Sequence, residues 1–187
     1  MADPGPSPTV SSLAVDVVRH AEIWDRIAVS DEALARAARV AFAAASHARQ
    51  EPCEATIVLT DDAEMRALNR AWRGKDSSTN VLSFPAGYSP GAIAGEPRLL
   101  GDVVLAGETV LAEAADRHIP AANHAAHFVV HGMLHLLGFD HERDEDAEAM
   151  EALETEVLST IGIDDPYAED ARAGPPGTQL PRRRAGR

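Results

Sequence analysis

The chain has 187 residues, enough for one domain with its own core, and 45% hydrophobic with 25% charged residues is the balance of an ordinary soluble globular protein. Aromatics are only 4%, so the core is expected to rest on Ala, Val and Leu; the single cysteine, Cys53, excludes an internal disulfide. No stretch has the length of a membrane span and the N-terminus lacks the regions of a signal peptide, so no membrane contact and a cytoplasmic location are expected, while a net charge of −13 argues against unspecific nucleic-acid binding.

Residues 1–12, rich in Pro, Ser and Gly, are expected to form a disordered tail. Leu13 to Val18 (LAVDVV) reads as a strand, and Ser30 caps an Ala-rich helix, DEALARAARVAFAAASHA. ATIVLT at 55–60 has the β-branched content of a buried strand. Asp61 or Asp62 caps the next helix, DAEMRALNRAW, whose Met65, Leu68 and Trp72 fall at helical spacing. NVLSF is a short strand ended by Pro85, and the Pro- and Gly-rich segment 85–98 reads as a loop or irregular hairpin. GDVVLAG at 101–107 is a strand and ETVLAEAADRH a helix. A long apolar helix follows from about Pro120 to Leu137.

After His141 comes an amphipathic helix with Met150, Leu153, Val157 and Leu158 turned inward. From Asp140 to Glu156 nine acids face one arginine, Arg143, whereas Arg66, Arg70, Arg73 and Lys75 fall within ten residues and form either a basic spot or a solvated helix end. Residues 164–187 are expected to form a second disordered tail, ending in the basic PRRRAGR. Strands and helices without strict alternation predict one α+β domain over 13–163, a small mixed β-sheet packed against helices, with the candidate metal site on a central helix and the turn after it.

Six of the eight histidines lie between residues 118 and 141. His124, His127, His131 and His135 are spaced by three, four and four, which lines them along one side of the long helix. His131 and His135 present imidazoles from successive turns, as a transition metal requires. A third ligand must approach from another side. Gly138 can take the left-handed conformation that ends a helix and return the chain with His141. Three ligands leave a fourth position open, the mark of a catalytic rather than structural zinc site, where a water's pKa falls toward ~7. Zinc is expected, one ion per chain, with nickel or iron as alternatives. His124 and His127 read equally as contacts to the ligands, contacts to substrate or plain helix face, and Asp140 and Asp144 as ring N–H acceptors or solvated acids.

The spacing H-x-x-x-H-x-x-G-x-x-H is similar to the metzincin peptidase pattern, but Gly132 stands where those enzymes carry a glutamate as general base. The segment HAAHFVVHGMLHLLGFDH, His124 to His141, resembles the signature of the YbeY-type endoribonucleases, bacterial rRNA maturation factors. LNRAWRGKDSSTNVLSFP from Leu68 and LLGDVVLAGETV from Leu99 resemble two further motifs of that family, in the same order. The likeness covers roughly residues 13–163, with Trp72 and Ser78 as small departures.

The resemblance implies His131, His135 and His141 as zinc ligands, Arg73 as a catalytic residue and single-stranded rRNA as substrate. It also implies the small ribosomal subunit as partner, 16S rRNA 3′-end processing and ribosome quality control as roles, and no DNA partner. A guanidinium at Arg73 suits a phosphodiester displacement, which piles charge on non-bridging oxygens. Arg66, Arg70 and Lys75 are candidates for flanking phosphates, His127 for a weaker substrate contact, and Ser77, Ser78, Thr79 and Asn80 for the cleft lining. Two other readings stand beside this one: an assembly factor whose metal only holds shape, and a peptidase lacking its usual base.

Overall fold

The computed structural model describes residues 12–45, 51–87, 96–141 and 143–168. Four strands form one sheet: β1 (Leu13–Arg19), β2 (Cys53–Thr60), β3 (Val81–Pro85) and β4 (Arg98–Ala106). Their order is β1-β2-β4-β3; β1, β2 and β4 run parallel and the edge strand β3 runs antiparallel to β4. The helices are α1 (Asp31–Ala45), α2 (Asp62–Arg73), α3 (Gly107–Asp116), α4 (Ala121–Leu136) and α5 (Asp144–Thr160). The class is α+β with a mixed sheet, as expected.

Local chemistry sets the boundaries. Ser30 Oγ accepts the Ala33 N–H at 3.2 Å and starts α1. Of the two candidates, Asp61 caps α2, accepting from Glu64 N–H at 2.8 Å. Asp62 instead takes the backbone N–H and hydroxyl of Thr109 at 3.2 and 2.7 Å, tying α2 to α3. Pro85 ends β3 at the sheet edge, where its missing N–H costs no ladder bond. β4 starts three residues earlier than the sequence reading places it, because a register shift between Glu54 and Ala55 keeps Arg98 and Leu99 paired with β2.

Strand alternation divides the core. Val103 and Leu105 of β4 join the larger cluster with α1 and α4, while Val104 and Ala106 join Met65 of α2 and Leu82 of β3 on the other face. α1 packs on α4, its Ala37, Ala38 and Ala41 fully buried. Met133 and Leu134 of α4 are buried completely, each contributing ~1.5–3 kcal/mol. The expected Ala, Val and Leu core also holds three large aromatics, Trp24, Phe42 and Phe128. Trp24 sits on a 3-10 turn (Glu22–Arg26) that the sequence reading does not anticipate, and its indole N–H donates to Thr60 O at 2.8 Å.

Packing continues past the boundary expected at 164. Asp165 accepts from Thr155 Oγ1 at 3.2 Å and the Tyr167 hydroxyl donates to Glu154 of α5. The N-terminal tail through residue 11, the end expected for the first helix at 46–48, the centre of the 85–98 segment and the basic C-terminus lie outside the described residues, as does the side chain of Asp144.

Candidate active site

On α4, Val129, Val130, Met133 and Leu134 enter the core, which leaves His131 and His135 half-buried at its boundary. The helix then ends in a Schellman turn: Gly138 N–H reaches His135 O and Phe139 N–H reaches Leu134 O, both at 3.0 Å, with Gly138 at φ +96°. The reversal carries His141 back, and one ring nitrogen from each of His131, His135 and His141 falls within 4.8 Å of the others.

Hydrogen bonding fixes which nitrogen each helix histidine offers. His131 Nδ1 lies 2.8 Å from a carboxylate oxygen of Glu154, and His135 Nδ1 lies 3.0 Å from Phe139 O. Both oxygens only accept, so both Nδ1 atoms carry a proton, and the Nε2 of each ring, when neutral, is a lone pair. Those two Nε2 atoms stand 3.1 Å apart. Facing lone pairs repel at that distance unless a cation or proton lies between them, so the residues fit a metal. An all-imidazole set, with the tautomers of His131 and His135 fixed, is a donor set that zinc accepts. Burial first, then neighbouring His131, lowers the pKa of His135, favouring the neutral imidazole that a metal needs.

Glu154 was missed by the sequence reading. It is 1% exposed and joins His131, His127 at 3.0 Å and the Tyr167 hydroxyl. Burial pushes its pKa up, but the bonds from His127, His131 and Tyr167 outweigh that and hold it down at about 2. Burial and the same carboxylate raise Tyr167. A signal was present: Glu154 sits four residues after Met150 and three before Val157, on the inward stripe of α5.

The three histidines open onto a cleft of about 640 Å³ along β3, lined also by Arg73, Thr79, Asn80 and Ser83. Arg73 is the last residue of α2 and exposed, and among the described residues it has no ion-pair partner. Gly132 forms part of the cleft's support. A Cβ there would meet Val103 Cγ1 at 2.5 Å, and its carbonyl accepts from Ser83 Oγ at 3.1 Å. α4 therefore seats directly on the sheet, with no space for a glutamate at this position.

Other expected site residues fall elsewhere. His127 does not line this cleft: it is buried, bonded to Glu154, and borders separate cavities with Arg117 and His124. Eight residues separate it from His135, about 12 Å along the axis and ~80° around it, so the stripe drifts off the cleft. Ser77 and Ser78 line a different pocket, with Asp62 and Arg66, while Thr79 and Asn80 do line the cleft. Arg66 is engaged by Asp76 through two bonds of 2.8 Å, and Arg70 lies 4.0 Å from the same carboxylate. Arg70 and Lys75 are exposed but outside the cleft wall. His124 is bonded to Glu113 at 2.9 Å, not to a ligand. Asp140 borders the cleft and accepts the His141 backbone N–H at 2.7 Å.

A family model described as Endoribonuclease YbeY matches residues 21–162. The chain belongs to this family. It is 49% identical to the Endoribonuclease YbeY of Azorhizobium caulinodans over 156 residues, 83% of this chain and 97% of the relative. It is 48% identical to that of Parvibaculum lavamentivorans over 168 residues, 87% and 89% of the two chains. Among solved structures, the solution structure of TM1509 from Thermotoga maritima superposes with a TM-score of 0.53, covering 91% of this chain and all of that one. At 18% identity that likeness speaks to the fold alone.

Proposed function

We propose that the chain is a zinc-dependent endoribonuclease that cleaves single-stranded RNA in the cytoplasm, acting with the small ribosomal subunit in 16S rRNA 3′-end maturation and ribosome quality control. The curated relatives carry the name of an endoribonuclease. The observation that carries the reading is the pair of Nε2 atoms 3.1 Å apart, with His141 beside them and, on the same cleft, Arg73 without an ion-pair partner among the described residues.

His131, His135 and His141 hold the ion, which when bound supplies Lewis acidity and an acidified water. Arg73 binds a non-bridging oxygen of the scissile phosphate and counters the charge that grows there during in-line displacement. Its position on an open, polar cleft, with no ion pair among the described residues, keeps that fork available. Glu154 and Phe139 O orient the two ring planes. The absence of space at Gly132 withholds the base that peptide hydrolysis needs, which favours the phosphodiester over the peptide.

The test is cleavage of a single-stranded RNA by purified protein, with elemental analysis of the same sample. Zinc near one ion per chain and cleavage abolished by chelator are expected. Arg73→Ala should lower kcat/KM by about 10²–10³ while metal content is unchanged. Cleavage that persists in chelator and in His131→Ala would overturn the reading. In cells depleted of the protein, 16S rRNA with an extended 3′ end should accumulate.

A further inference from the structure

Trp72 is 71% exposed, the largest exposure among the big apolar side chains described. A lone exposed hydrophobic residue needs no explanation. Trp72 differs in where it stands. Its ring meets that of Phe84 edge-on, centroids 5.6 Å apart at 63°, so it is braced on one side and open to water on the other. Both partners adjoin cleft residues in sequence. Trp72 precedes Arg73, and Phe84 lies between Ser83 and Pro85, all three of which line the histidine cleft. By strand alternation Ser83 faces α4, while Phe84 belongs to the cluster under α2, so the aromatic pair flanks the edge strand opposite the histidines.

Charge narrows the occupant. The chain carries −13 overall, yet Arg70, Arg73 and Lys75 surround Trp72 in sequence and all are exposed. A polyanion with flat apolar rings suits this corner. Single-stranded nucleic acid has that chemistry, with phosphates for the guanidinium and unstacked bases for the indole. Bases inside a duplex are already stacked and cannot reach it.

We propose that Trp72, braced by Phe84, is a stacking platform for an unpaired base next to the phosphate held by Arg73, and that this contact selects single-stranded over duplex RNA. The proposal rests on the ribonuclease reading for its substrate. A base on Trp72 orients the strand as it crosses β3, so its energy appears in substrate binding and not in the chemical step.

The chain has two tryptophans, and Trp24 is completely buried, so emission changes on binding report Trp72. The metal-loaded full chain is mixed in stopped flow with a ten-nucleotide single-stranded RNA, with its duplex, and with oligonucleotides abasic at successive positions. Emission should be quenched by the single strand and not by the duplex, and one abasic position should abolish the quench. In steady state Trp72→Ala should raise KM about tenfold with kcat within threefold, and Trp72→Phe should recover most of the loss. Thermal melting of Trp72→Ala should match the parent, since the ring is largely in water.

Cleavage with unchanged KM in Trp72→Ala and no quench would overturn the platform and leave the ribonuclease standing. Quench without cleavage would sink the ribonuclease and leave the platform. Neither quench nor cleavage would remove both.

Discussion

His131 and His127 sit one helical turn apart on α4 and bond the same carboxylate, yet they do different work. His131 meets Glu154 through Nδ1 at 2.8 Å, which leaves Nε2 for the cleft. His127 meets it through Nε2 at 3.0 Å, and its Nδ1 is buried without a hydrogen-bond partner among the described residues. The outer nitrogen of one ring is free to bind, and the outer nitrogen of the other is spent on a strut. Helix spacing alone makes the two look alike. The ring nitrogen each one spends on Glu154 separates candidate ligand from support.

The most drastic way to break this contrast is His131→Ala. It should remove bound metal and depress RNA cleavage by more than about 100-fold, which is the upper range for losing only the partner of a ligand. Elemental analysis and initial rates on one preparation check both. Glu154→Gln comes next. It keeps the side chain's shape but removes the carboxylate both rings share, so zinc affinity should fall about 10- to 100-fold by competition titration. A Glu154→Gln protein with parental zinc affinity would show that the rings are oriented by packing alone. Gly132→Ala probes the seat beneath the ligands. With Val103 Cγ1 2.5 Å from the added Cβ and Val103 itself fully buried, thermal or urea unfolding should show a loss of about 1–3 kcal/mol.

What made the site legible was its locality. His131, His135, Gly138 and His141 lie within eleven residues, and helix pitch plus one left-handed glycine places them without knowledge of the rest of the chain. Arg73 came from a separate motif, and only the fold shows it on the same cleft. Glu154 was hidden by its neighbours. In a run of nine acids one carboxylate looks like the others, although its place on the inward stripe of α5 distinguished it. Tyr167 was hidden by composition, because a segment poor in apolar residues reads as tail even where one hydroxyl anchors it. The strands were legible from β-branched runs. The early start of β4 was not, since it depends on a register shift set by β2.

The smallest effect tests the supporting end of the helix by pH. His124 is 2% exposed, and burial lowers its pKa below the usual 6.5 despite the opposing pull of the Glu113 carboxylate at 2.9 Å. Unfolded chain takes up a proton near 6.5, while folded chain resists it until the pH is lower. The stability from His124 is therefore complete above 6.5 and is lost as pH falls toward the folded value. Urea midpoints measured in chelator from pH 7.5 to 5.5, so that no bound metal contributes, should fall for the parent and fall less steeply for His124→Leu. His135 is depressed in the same sense and is present in both proteins, so the difference between the two slopes isolates His124. Parallel slopes would mean that Glu113 compensates burial fully, and that the two ends of α4 differ in access to the cleft but not in how far they disfavour a charged ring.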